Sequence, residues 1–182
     1  NVVGGNATGD QLATQPVVEI RDSFNNLATS STANVTVSVA SGSAGSLTSG
    51  ETTVAAVGGV ATFTNVRLIG LPANSYTLGF ASGSLTGATS SALSVTFNTA
   101  YQIAITTQPV GGQTALALTT QPVVEIQDFY GNRVTNDNST VVTAAISSGA
   151  GGTLAGARSL TAVNGVVTFT DLALTGTPSV SY

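Results

Sequence analysis

Eight carboxylates carry most of the ionisable chemistry of this chain: Asp10, Glu19, Asp22, Glu51, Glu125, Asp128, Asp137 and Asp171. Their one suggestive spacing is Glu19 with Asp22, which recurs as Glu125 with Asp128. Two carboxylates flanking a glycosidic bond can act as acid and nucleophile. A pair duplicated in a strand and its turn, with no Trp to platform a sugar, reads instead as repeated scaffold, and no catalytic residue is expected. Calcium is the better chemistry, because it takes carboxylate and carbonyl oxygens and stiffens strings of β-domains at their junctions. Asp22 and Asp128 are the candidate ligands. The competing role for each is to cap its own turn, and no D-x-D-x-D-G loop accompanies them. No other cofactor is expected.

What the sequence lacks narrows the chemistry further. It contains no Cys, His, Met, Trp or Lys, and its four basic residues are Arg21, Arg67, Arg133 and Arg158. Thiolate nucleophiles, Ser-His-Asp triads, Cys/His zinc sites, Schiff bases and P-loop lysines are all excluded. A Lys–Asn isopeptide crosslink is excluded with them. A net charge of −4 and four scattered arginines leave nothing to neutralise phosphates, so nucleic acid is not an expected partner. Residues 68 to 124 carry no charge, yet Ser, Thr, Gln, Gly and Pro interrupt them too often for a membrane span. No basic n-region with an apolar h-region opens the chain. Three glycosylation sequons begin at Asn6, Asn34 and Asn138.

The elements that must position these residues are set by an internal repeat. Thr14-Gln15-Pro16-Val17-Val18-Glu19-Ile20 recurs intact as Thr120-Gln121-Pro122-Val123-Val124-Glu125-Ile126, an offset of 122 − 16 = 106. Asp22, Asn26 and Thr29 match Asp128, Asn132 and Thr135, and Phe63 matches Phe169. Leu47 pairs with Leu154 at an offset of 107, so the register slips by one and then recovers. A period this long is a whole small domain rather than a solenoid unit. The expected units are residues 1–98, lacking a first strand, and residues 99–182, lacking the last strands. The chain is accordingly expected to be a window on a longer one, with neighbouring subunits as the alternative source of the missing strands.

Period-2 alternation dominates, as in Asn34-Val35-Thr36-Val37-Ser38-Val39, and predicts strands with one buried face. Tyr76–Phe80 and Leu93–Phe97 show the same pattern, and no helix is expected. Asn164-Gly165 and Gly58-Gly59 are the residue pairs a two-residue type I′ hairpin demands. Asp22 to Asn26 and Asp128 to Asn132 predict a second turn, with the Asp as cap. Phe63 and Phe169 are the expected aromatic anchors, and Tyr76 and Tyr101 are expected to pack inside. About seven short strands per period predict an all-β chain of tandem immunoglobulin-like Greek-key sandwiches.

The Asp turn, the V-x-V-x-V strand, the G-V-A/V-T-F-T strand and Tyr-Thr-Leu-x-Phe, in that order, resemble bacterial immunoglobulin-like repeats of the invasin and intimin type. The resemblance spans nearly the whole chain, in residues that specify fold rather than activity. It implies an extracellular or cell-surface location and a structural role, as a stalk, filament or surface layer. The partners are then neighbouring repeats of the same chain and copies of itself. A junction as short as Asn98-Thr99-Ala100 would limit flexing between repeats. Two alternatives stay open: an adhesin module binding a host protein or a glycan, and a spacer in a larger extracellular enzyme.

Overall fold

The computed structural model describes residues 7–48, 51–72, 74–148 and 151–176. They fold as two compact units, Asn1–Asn98 and Thr99–Tyr182. All regular elements among the described residues are β-strands, paired antiparallel.

The first unit holds β1 (Val17–Glu19), β2 (Asn34–Ser41), β3 (Ser46–Leu47), β4 (Thr53–Ala55), β5 (Val60–Thr62), β6 (Leu68–Ile69), β7 (Thr77–Ala81) and β8 (Ala88–Thr89). They form one four-stranded sheet, β4-β2-β7-β8, and two pairs, β1-β5 and β3-β6. The β-branched alternation works as the pleat requires. Val35 and Val37 of β2 are buried while Asn34, Thr36 and Ser38 between them are exposed. They meet Phe63, Leu68, Tyr76, Leu78 and Phe80 in a single core. Phe63 and Phe80 stack tilted, with ring centroids 5.9 Å apart.

The second unit holds β9 (Gln102–Thr107), β10 (Val123–Gln127), β11 (Val141–Thr143), β12 (Thr153–Ala155), β13 (Ser159–Thr161), β14 (Val166–Thr168) and β15 (Ala173–Thr175). The sheets are β14-β10-β9, β11-β13 and β12-β15. Its core gathers Val124, Ile126, Val142, Ala162, Val167, Phe169 and Leu172. Phe63 and Phe169, 1% and 2% exposed, are anchors in both units, as the sequence predicts.

The repeat survives at the level of register. Val18 faces Ala61 in the β1-β5 pair, and Val124 faces Val167 in the β10-β14 pair, both 106 positions on. The one-residue slip can be placed. Val35 faces Val54, whereas Val142 faces Leu160, so β11 stands 107 positions after β2 while β13 stands 106 after β4. The extra residue therefore lies in the Asp137–Thr140 loop. There the Asp137 carboxylate accepts from the N–H groups of Ser139 (3.0 Å) and Thr140 (2.9 Å). The insertion falls on a capped loop and leaves the ladders intact.

Three expectations are revised. The Gly58-Gly59 and Asn164-Gly165 turns form with positive φ throughout (59°, 82°, 50° and 71°). The strands they join part after one residue pair, because β4 goes to β2 and β5 goes to β1. Each turn thus passes the chain between sheets instead of closing an extended hairpin. Leu93–Phe97 is not a continuous strand; it holds two single bridges, Tyr76↔Leu93 and the parallel Ala7↔Thr96. Tyr76 is fully buried, but Tyr101 is 67% exposed.

Candidate functional site

The paired carboxylates do not converge. Asp22 Oδ1 accepts from the backbone N–H groups of Phe24 (2.9 Å) and Asn26 (2.8 Å), and the Asn26 side-chain amide donates to Oδ2. Asp128 repeats this with Tyr130 and Asn132, each N–H at 2.9 Å. The fourth residue of each turn is in the left-handed region: Asn25 has φ 67° and Gly131 has φ 81°. The Asn26 backbone N–H, then its side-chain amide, then the Phe24 N–H hold the Asp22 carboxyl below its ordinary 3.8. The exposed Glu19 instead pairs with Arg21, and Glu125 accepts from the Gln127 amide at 3.1 Å and faces Arg133 at 4.0 Å.

Each Asp therefore caps its own turn. Calcium prefers six to eight oxygen ligands. Among the described residues, no group of three or more Asp, Glu, His or Cys side chains is close enough to hold a metal ion. The two turns differ in burial: Asp22 and Asn26 are exposed, whereas Asp128 is fully buried and Asn132 is 9% exposed. The difference accompanies β9, whose preceding Tyr101 donates its N–H to the Gln127 carbonyl at 2.8 Å.

Beside the Asp128 turn lies an exposed aromatic row that sequence reasoning did not assemble. Tyr101 and Phe129 meet edge-on at 5.2 Å, and Phe129 and Tyr130 at 5.3 Å. Phe129 is 64% exposed. The first unit has Ser23 and Phe24 at the two turn positions.

A second missed feature is the side-chain amide of Gln15. Its Oε1 accepts the Val66 N–H at 2.7 Å, and its Nε2 donates to the carbonyls of Leu12 (3.1 Å) and Val66 (3.2 Å). Gln121 does the same with Leu172 and Leu118. In each unit one amide ties together backbone segments 51 positions apart. The exact recurrence of Gln inside the T-Q-P-V-V-E-I motif is the signal that marks it. Thr8, fully buried, accepts the Gly70 N–H at 2.9 Å, and Thr114 accepts that of Gly176.

Tyr76 is held at a corner of the first unit. Its hydroxyl accepts the Leu71 N–H at 2.7 Å and donates toward the Leu71 carbonyl at 3.2 Å. A Cβ on Gly42, Gly45 or Gly70 would fall 2.2 to 2.7 Å from the ring.

Of the sequons, Asn34 is an exposed residue opening β2, and Asn6 lies outside the described residues. Asn138 is exposed but engaged, its amide donating to the Asn136 carbonyl and its Oδ1 accepting the Asn164 N–H. Compared with protein-family models, curated proteins and solved structures, the chain gives no match.

Proposed function

We propose that the chain is a structural segment of an extracellular or cell-surface fibre, built from immunoglobulin-like Greek-key sandwiches of the invasin and intimin type and used to make length. The observation that carries this reading is the duplication of scaffold devices, and not of any reactive cluster, at one period. The Asp22 and Asp128 caps, the Gln15 and Gln121 clamps and the Thr8 and Thr114 contacts all recur. Residues that recur in every repeat serve the repeat's own fold, which suits a chain whose product is extension.

The strand orders support the fold named. Together the two units supply one sheet of β9-β10-β14 type and another of β4-β2-β7-β8 type. We read these as the two layers of one sandwich, with the chain crossing from one sheet to the other. The Tyr76 hydroxyl, bonded to backbone five residues upstream, resembles the tyrosine corner of such domains. With few charges, Ser- and Thr-rich faces would let chains pack side by side with little repulsion.

Single-molecule pulling on the full-length native protein tests this. Repeats of 106 residues should unfold in evenly spaced steps of roughly 350–380 Å of contour length. Irregular steps, or electron micrographs showing only compact isolated particles, would sink the fibre reading.

One observation favours the adhesin alternative. The exposed Tyr101, Phe129 and Tyr130 form the kind of aromatic surface that binding loops use. Saturable binding on a glycan array, lost in Phe129→Ala, would move this reading to first place.

A further inference from the structure

Among the described residues one backbone pairing is parallel, and it joins an early segment of the first unit to its last: Ala7 lies beside Thr96. The contact is held at Thr8. Its N–H donates to the Thr96 carbonyl at 2.8 Å, and its own carbonyl accepts from the Asn98 side-chain amide at 3.3 Å. Its hydroxyl is fully buried and accepts the Gly70 N–H at 2.9 Å. The chain then runs on along β6 and the residues before it, Gly9 donating to the Leu68 carbonyl at 2.8 Å and Leu12 to that of Val66 at 3.0 Å. One residue thus ties the early segment both to the last segment and to the interior of the unit.

We infer that the Thr8 contact is a load-bearing clamp, where tension passing along the chain through the first unit meets its main resistance. The inference rests on the fibre reading and adds the residues that carry the load. In a string of repeats, force draws the segment around Thr8 toward the preceding chain and the segment around Thr96 toward the following chain. The two run parallel, so these pulls point in opposite directions along the contact and the segments must slide past one another. Hydrogen bonds that cross the line of sliding stretch together, whereas an antiparallel pair loaded at adjacent ends opens one bond at a time.

Burial suits the contact to that work. Leu12 on the early segment and Leu93 and Val95 on the last are buried in the core, so sliding has to draw apolar side chains out with the backbone. The buried Thr8 hydroxyl keeps its bond where water cannot exchange for it. Gln15 fastens the same early segment to Val66 a few residues further on. The inward half of the device recurs in the second unit. There Thr114 Oγ1 accepts the Gly176 N–H at 3.3 Å, Ala115 donates to the Leu174 carbonyl at 3.0 Å and Leu118 to that of Leu172 at 2.8 Å.

The chain has no cysteine, so pulling handles can be attached at chosen positions of the full chain. Asn1→Cys with Ala100→Cys loads the clamp, and Ser23→Cys with Ser75→Cys loads two exposed positions outside both segments. Lifetimes of the first unit at constant force read its unfolding rate. Under load through the clamp, Thr8→Val should shorten the lifetime about tenfold, the effect of one buried hydrogen bond lost from the rate-limiting step. Asn98→Ala should shorten it in the same geometry, and Thr8→Ser, which keeps the hydroxyl, should stay within about twofold of the parent. Under load that bypasses the clamp, Thr8→Val and Asn98→Ala should each change the lifetime by less than about twofold. Equal shortening in both geometries would mean that these residues only stabilise the fold, and it overturns the proposal. So does a parental lifetime for Thr8→Val under load through the clamp. If Thr8→Val does not fold, Asn98→Ala decides between the same results. Evenly spaced unfolding steps of the native fibre would survive either failure, so it is distinguishable from failure of the fibre reading.

Discussion

Replacing Gln15 removes a polar group whose partners are all backbone. In Gln15→Ala the Val66 N–H loses its acceptor at 2.7 Å, beside a Val66 side chain that is only 1% exposed, so water has little access. Leaving such a donor unpaired costs about 2 kcal/mol. In a unit of this size, that lowers the unfolding midpoint by roughly 8–16 °C. Gln15→Glu separates the geometry from the mere presence of a polar side chain. One carboxylate oxygen can still accept from Val66, but the other has no proton and faces the Leu12 and Val66 carbonyls at 3.1 and 3.2 Å. The fold then favours the protonated acid, and the folded-state pKa rises above the unfolded value of about 4.3. A raised pKa means the stabilising contribution is full below the unfolded value and is lost as pH rises through the folded one. Gln15→Glu should therefore be clearly less stable than the parent chain at pH 7 and recover most of the difference by about pH 4. Calorimetry across pH, with amide exchange at Val66, reads both effects, and Gln121→Ala is the matched change in the second unit. A Gln15→Glu chain with parental stability at pH 7 and a flat difference across pH would refute the clamp.

The turn glycines differ in what a methyl group meets. Gly165→Ala and Gly59→Ala place a Cβ 2.4 and 2.5 Å from the Val134 and Ala28 carbonyl oxygens, at φ 71° and 82°. Both should cost more in urea denaturation than Gly83→Ala, where the φ is also positive but nothing lies within 4 Å. The last should cost only the conformational penalty of about 1 kcal/mol. Tyr76→Phe should cost about 1–2 kcal/mol and speed exchange of the Leu71 amide, whose acceptor it deletes. Hydrogen bonds from the Thr140 hydroxyl, then the Ser139 and Thr140 N–H groups, hold Asp137 down to about 2. Its contribution is present above the unfolded carboxylate value of about 3.9 and fades as pH falls through about 2. An NMR titration should find that midpoint, and Asp137→Asn should remove this part of the acid sensitivity.

The Asp turns were legible because each is closed within five residues, where side chain, N–H groups and left-handed residue are all neighbours in the chain. The β2 alternation and the Phe anchors were legible for a similar reason, since strand period alone assigns the buried face. Gln15 was not, because its meaning depends on Val66, 51 positions away, and a glutamine taken alone reads as surface. Tyr101 misled in the opposite direction. Its pattern matches a buried strand residue, but its ring lies on Phe129 outside the core.

The sequence by itself determined that one β module is written twice, where its turns fall and which chemistries it excludes, because these follow from residue types and local spacing. Tertiary structure decided how the turns are used. Gly58-Gly59 and Asn164-Gly165 each send their flanking strands to different sheets, since β2 and β1 in the first unit, and β11 and β10 in the second, offer longer pairings than the turn's own arms. It also decided that β10 is an inner strand, held between β9 and β14. A strand's own residues set which of its faces is apolar; only the neighbours that fold against it set which of its edges remain open.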